Sequence, residues 1–335
     1  MAKSIFIITL ALPAILWYNG ARKGGELNKV KIEFDSIVYP FNKKTAIHIW
    51  HPELYDSYVR YINKKHLTQA IITMPSLDIL YDCPTLQYLR IHPHFDSPDQ
   101  YDFSPLYGRE IKYLCCLNEY YKEGGKSHIG TVDFSQIYGL ESLKINVNRG
   151  TLNFNRIETL KSLIVGDYTS ANRDLTDLFV STEIDTLRLL EGRTVSLNGI
   201  EKAPKLQYLD ISYNRCLEDI SALAKVKDSL KSLNIANCAR IKDFSVLYEL
   251  ENLEKLEIWG SNTIPSLDFV KYMPNLKTLF LEINIADGDI TPCLDLRSAK
   301  LMKDRKHYNL KDKDLPKARK VVFGNESIDE WRRLE

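Results

Sequence analysis

Three observations predict an α/β solenoid bent like a horseshoe, with a parallel β-sheet lining its concave face and an irregular, short-helical convex side. First, an apolar motif keeps returning: Leu206-x-x-Leu209-x-Ile211-x-x-Asn214, then Leu230-x-x-Leu233-x-Ile235-x-x-Cys238, then Leu253-x-x-Leu256-x-Ile258. Second, its starts at Leu67, Leu86, Ile111, Leu140, Leu160, Ile184, Leu206, Leu230, Leu253 and Leu276 are 19, 25, 29, 20, 24, 22, 24, 23 and 23 residues apart. Third, a unit of that length cannot cover its own apolar face, so each must be buried by its neighbours.

Within a unit the strand comes first. Leu209 and Ile211, two apart, point to one side of a strand, while Tyr208, Asp210 and Ser212 point to the other. The chain then turns and supplies a second apolar set, as in Leu217, Ile220 and Leu223 or Ile241, Phe244 and Leu247. The ninth position carries a short polar or thiol side chain in several units: Asn148, Asn214, Cys238, Ser261 and Asn284. A buried turn leaves backbone groups there that such a side chain satisfies, so its role is structural. Three stretches break the pattern, residues 118–131, 166–182 and 191–195, and insertions of this kind map to loops on one surface of a solenoid.

The spacing and the pattern L-x-x-L-x-L-x-x-N/C-x-L resemble the leucine-rich repeat family over about Leu67 to Asn284. Among its members the chain is similar to short, stand-alone bacterial leucine-rich repeat proteins. That resemblance implies a protein-binding scaffold, of a kind in which some members neutralise a toxin or modulate an enzyme by occluding it.

Four segments are expected: an apolar N-terminal stretch at 1–29, an N-terminal cap at 30–66, about ten repeats over 67–293, and a basic C-terminal cap at 294–335. The cap at 30–66 reads as two alternating strands around Pro40 followed by an amphipathic helix from Pro52 to Lys65, with Leu54, Tyr58, Tyr61 and Ile62 on one side. The apolar run from Ser4 to Tyr18 fits the core of an export signal but is short for a membrane span. An uncleaved signal, a short anchor and a simple extension all fit it, and any membrane contact is expected through residues 4–18 alone. Trp331 is expected to pack in the C-terminal cap.

The 45 basic and 44 acidic side chains leave a net charge of +1, which argues against a nucleic-acid partner. The basic residues from Lys300 to Lys320 are interrupted by Asp304, Asp312 and Asp314 and read as a solvated surface. The six cysteines form no CxxC pair, and Cys116 and Cys238 fall on core positions, so buried reduced thiols are expected. With one glycosylation sequon, Asn325 to Ser327, these features favour a cytoplasmic protein; export or anchoring through the N-terminal run is the alternative.

No HExxH, GxSxG, GxGxxG or phosphate-loop motif occurs, so no enzyme activity, metal or cofactor is expected. The nearest approach to a metal site is His92 and His94 with Asp96 and Asp99, but Pro93 and the turn should swing His94 away from His92. The concave face is the candidate site. Its projecting positions are Tyr88, Arg90, Tyr113, Lys144, Arg188, Tyr208, Asp210, Tyr213, Glu257, Trp259, Phe280 and Glu282, a set rich in the aromatics and arginines that interfaces concentrate. Arg90, Lys144 and Arg188 lie in the first half and Asp210, Glu257 and Glu282 in the second, a polarity that would orient a protein partner. Aromatic anchors at Tyr208, Tyr213, Trp259 and Phe280 make a protein-gripping scaffold the leading expectation. An exported adhesion protein similar to internalins, or a metal-dependent enzyme at His92 and His94, are the alternatives.

Overall fold

A computed structural model of the chain describes residues 33–35, 46–92, 101–116, 119–122, 125–128 and 130–317. The apolar run at 4–18, His94, Asp96, Asp99, the sequon and Trp331 lie outside them. Among the described residues no helix is long and apolar enough to cross a membrane.

Leucine and isoleucine two apart, repeated at each unit, build one large sheet. Its strands are β1 (Glu33–Asp35), β2 (Ala46–Ile49), β3 (Gln69–Ile72), β4 (Tyr88–Ile91) and β5 (Tyr113–Cys116). After the insertion strands β6 (Glu119–Lys122), β7 (Gly125–His128) and β8 (Val132–Asp133) comes β9 (Ser142–Asn146), and after the short β10 (Thr151–Leu152) comes β11 (Ser162–Gly166). The series ends with β12 (Thr186–Leu190), β13 (Tyr208–Ser212), β14 (Ser232–Ala236), β15 (Lys255–Ile264), β16 (Thr278–Ile285) and β17 (Ser298–Leu301). Thirteen of these hydrogen-bond in the order β1-β2-β3-β4-β5-β9-β11-β12-β13-β14-β15-β16-β17. All neighbours pair in parallel except β1, which runs antiparallel to β2.

Each of the ten repeat starts read from the sequence lies two residues before the first residue of a parallel strand, from Leu67 and Gln69 to Leu276 and Thr278. The parallel run also extends past those ten, with β2 before them and β17 after. Because the register never slips between β2 and β14, equivalent positions form rows across the sheet. Leu187, Leu209, Leu233 and Leu256 stack in one inward row, and Leu189, Ile211, Ile235 and Ile258 in the next, all at most 2% exposed. Each such side chain contributes about 1.5 to 3 kcal/mol by leaving water.

The convex layer is a stack of 3-10 turns, among them Ser221–Val226, Ser245–Glu249 and Asp268–Tyr272. Leu217, Ile220 and Leu223 of one unit and Ile241, Phe244 and Leu247 of the next are all buried against the sheet. Two helices precede or interrupt the run, α1 (Tyr55–Lys65), which buries Tyr58 and Ile62, and the single turn α2 (Ile79–Asp82). The insertion after β5 contains the antiparallel hairpin of β6 and β7.

The turn after β11, β12, β13 and β14 repeats its backbone conformation. The eighth residues of four successive units, Asp167, Glu191, Tyr213 and Asn237, have φ of 58°, 57°, 58° and 56°. Each amide donates to the carbonyl of the next strand's last regular residue: Asp167 to Leu190, Glu191 to Ser212, Tyr213 to Ala236 and Asn237 to Trp259, at 2.7 to 2.9 Å. In the fifth such unit Gly260 opens to φ 139°, and the ladder between β15 and β16 shifts between Trp259 and Thr263.

That shift corrects one expectation. Asn214 is fully buried with its amide nitrogen 2.9 Å from the Gly192 carbonyl and 3.1 Å from that of Thr194 in the orientation that satisfies both, and buried Cys238 lies 3.7 Å from the Ile211 carbonyl. Ser261, the ninth residue of the next unit, is exposed. The extra residue moves the buried role to Asn262, which donates to the Cys238 carbonyl at 3.1 Å and the Ile241 carbonyl at 2.9 Å.

The C-terminal edge of the sheet is covered. On β17, the Ala299 amide donates to the Pro316 carbonyl at 2.9 Å and the Leu301 amide to Asp312 Oδ1 at 2.8 Å, while Lys317 Nζ donates to the Ala299 carbonyl at 2.9 Å.

Candidate functional site

The third residue of each parallel strand from β3 onward projects from the concave face. In register these residues read Ile71, Arg90, Cys115, Lys144, Ile164, Arg188, Asp210, Asn234, Glu257, Phe280 and Lys300. A strand spacing of about 4.8 Å separates each from the next.

Eleven of the twelve residues read as the site lie at first, third or fifth strand positions and share this face, and Tyr213 follows β13 in the turn; they are not equally open. Tyr88, Arg90, Lys144, Arg188, Tyr213, Trp259 and Glu282 are partly exposed. Tyr113, Tyr208, Asp210, Glu257 and Phe280 are buried, with exposures of 5, 8, 9, 3 and 2%. Tyr208 and Phe280 therefore cannot serve as outward anchors; a concave sheet crowds its own side chains, and neighbours across the rows cover them.

In the second half the charges neutralise one another. Arg188 holds Asp210 through Nη2 at 2.8 Å and Nε at 2.9 Å, and the same carboxylate accepts from Ser212 Oγ at 2.5 Å and Asn234 Nδ2 at 3.0 Å. Glu257 takes Lys255 Nζ at 2.6 Å and the Trp259 indole N–H at 3.2 Å, and Glu282 pairs with Lys303 at 2.9 Å. The Trp259 ring also stacks on Phe280, with centroids 4.3 Å apart and planes within 20°. Buried Phe280 and Glu257 thus hold one half-exposed indole in a single orientation.

The first half is different. Tyr88 packs on a buried cluster of Ala46, Ile71, Tyr113 and Cys115 laid on the sheet. Arg90 and Lys144 stand two strands apart, on either side of Cys115, and among the described residues neither makes an ion pair or side-chain hydrogen bond; there the Arg90 Nε is buried with no partner. Burial lowers the pKa of Lys144, and the like charges of Arg90 and Arg188 add to the effect. His92, on the same face as Arg90, is held down to about 4 by burial first and then by Arg90, His48 and Lys144. The expected polarity is corrected accordingly: the acids of the second half are already paired, and among the described residues the unmatched charge is the positive pair in the first.

Sequence reasoning missed Ile71, Cys115 and Ile164, aliphatic or thiol residues at a position that is polar in an open concave face; that departure was the available signal. Among the described residues no group of three or more His, Cys, Asp and Glu could hold a metal ion. All six cysteines are free, five of them buried.

A long parallel sheet built from units of 19 to 29 residues, backed by 3-10 turns, defines the class as a solenoid repeat protein. Residues 204–249 match a model of two copies of leucine-rich repeats. Over that stretch the chain carries leucine-rich repeats. Among solved structures it is similar to an internalin, InlF, from Listeria monocytogenes, with 17% identity and a TM-score of 0.49 over 76% of this chain and 71% of that one. It is also similar to the functional domain of InlJ from Listeria monocytogenes, with 12% identity and a TM-score of 0.23 over 64% of this chain and 67% of that one. At that similarity neither bears on what this chain does.

Proposed function

We propose that this chain is a non-enzymatic scaffold that grips a protein partner on its concave face and, by covering one side of it, acts as an inhibitor or immunity-type protein. The observation that carries this reading is Trp259: a half-exposed indole stacked on Phe280 and hydrogen-bonded to Glu257. An aromatic side chain already fixed in one orientation buries much area while losing little rotamer freedom on binding. Tyr213 supports it. A bulky residue at φ 58° is strained; of the residues that fill the same turn in other units, Asp167, Glu191 and Asn237, the aspartate and asparagine tolerate that conformation better.

The test is affinity capture from the native source with the intact chain and with a Tyr213→Ala/Trp259→Ala variant, followed by mass spectrometry. A partner held by the first and lost by the second is the expected result, each substitution weakening binding by about 1 to 4 kcal/mol. Identical capture by both would overturn the concave-face reading.

A further inference from the structure

We propose that Arg90 and Lys144 form a carboxylate-binding site on the concave sheet, which takes an acidic side chain of the protein partner. The inference rests on the concave-face reading and adds the chemistry of the group bound.

Two unpaired cations on one half-buried surface are unfavourable, because desolvation and mutual repulsion are not offset by any counter-charge. Arg188, on the same row, shows the alternative: it is held by Asp210 at 2.8 Å. Among the described residues Arg90 and Lys144 have no such acid, and Arg90 keeps a buried Nε with nothing there to donate to. They stand on β4 and β9 with only Cys115 of β5 between them, a separation of two strand spacings, about 10 Å between backbones. A carboxylate above Cys115 can be approached from both sides by these long side chains, with the planar guanidinium as the directional partner. His92, two residues after Arg90 on the same face, is neutral near pH 7 and offers a ring nitrogen without adding charge.

The surroundings select the kind of anion. Ile164 and Leu190 lie beyond Lys144 on β11 and β12, Tyr113 and Cys115 lie between the two cations on β5, and Ile71 lies beyond Arg90 on β3. Two cations in an apolar frame suit one carboxylate with an apolar neighbour in its own chain. A phosphate carries more charge and a third oxygen that calls for further donors, and a net charge of +1 does not favour a polyanion. From Arg90 on β4 to Trp259 on β15 the sheet spans seven strand spacings, about 34 Å, the scale of one small folded domain.

The experiment uses the full chain, wild type and R90Q/K144Q, titrated with hexaglutamate, hexaglutamine and inorganic phosphate by calorimetry. His92 is followed in parallel by its imidazole resonance. Expected are saturable binding of hexaglutamate that weakens between about 50 and 300 mM salt, a loss of about tenfold or more in R90Q/K144Q, no binding of hexaglutamine, and a higher His92 titration midpoint with hexaglutamate bound. Hexaglutamate affinity unchanged in the variant would overturn the proposal. So would phosphate binding to wild type that hexaglutamate does not displace, which would mark a small-anion site.

Should R90Q/K144Q fail to fold, Lys144→Met alone keeps the idea testable. Removing an unpaired half-buried cation is expected to raise the melting temperature, and a lowered one would overturn the premise of an unmatched charge. Partner capture separates the two readings: a protein lost with Tyr213→Ala/Trp259→Ala but held undiminished by R90Q/K144Q leaves the concave scaffold standing and removes the carboxylate site. Loss of hexaglutamate binding in R90Q/K144Q together with capture insensitive to Tyr213 and Trp259 keeps the carboxylate site and removes the aromatic grip.

Discussion

Tyr213 carries a measurable conflict between fold and use. Its left-handed backbone costs an ordinary residue about 1 to 2 kcal/mol, and asparagine, found at the same turn as Asn237, is one of the few that fits. Tyr213→Asn is therefore expected to stabilise the chain by about 1 kcal/mol in urea denaturation while weakening partner capture; a destabilised variant would show that the ring packs for stability. His92 makes a second case. Its folded pKa of about 4 lies below the unfolded 6.5, so the unfolded chain takes up the proton first as pH falls. Stability is complete above pH 6.5 and declines toward pH 4, by on the order of 1 to 3 kcal/mol, and His92→Gln should flatten that part of the profile. The sequence placed eleven of the twelve candidate residues on one face because strand alternation settles facing; Tyr213, in the turn after β13, lies outside that rule. It could not rank their exposure, since Phe280 and Glu257 are buried by Trp259 and Lys255, and only the stacked rows bring those groups into contact.

At the level of the repeat unit, the buried series Asn214, Cys238 and Asn262 is the sharpest test of the turn geometry. Asn262→Ala strands the carbonyls of Cys238 and Ile241 and should cost about 1 to 3 kcal/mol, whereas Ser261→Ala, one residue away and exposed, should stay within about 0.5 kcal/mol. Equal effects in thermal denaturation would contradict the shifted register. Strand starts were legible to the residue because Leu and Ile two apart are the direct imprint of a period-two element with one buried side. The shift at Trp259 to Thr263 was not, because it arises where Gly260 lets β15 run on rather than turn, a backbone choice that leaves the apolar spacing of 23 residues untouched. The hairpin of β6 and β7 was equally hidden, since its sequence, with Tyr120, Tyr121 and Gly124 among charged residues, lacks a clean alternation.

Across the whole molecule, contacts run between neighbouring units, so damage should spread along the stack by short steps. Leu233 is fully buried in β14, and Leu233→Ala is expected to cost about 2 to 5 kcal/mol. Hydrogen exchange should then accelerate in β13 to β15 well before β3 and β4, and a uniform acceleration along the chain would mean one all-or-none unit instead. The covered edge of β17 bears on the molecule's reach. The amides of Ala299 and Leu301 are spent on Pro316 and Asp312, so they offer no free donor to another strand. That edge is a hem rather than a raw border: a second copy meets spent amides at Ala299 and Leu301 and finds no row of free donors to stitch onto.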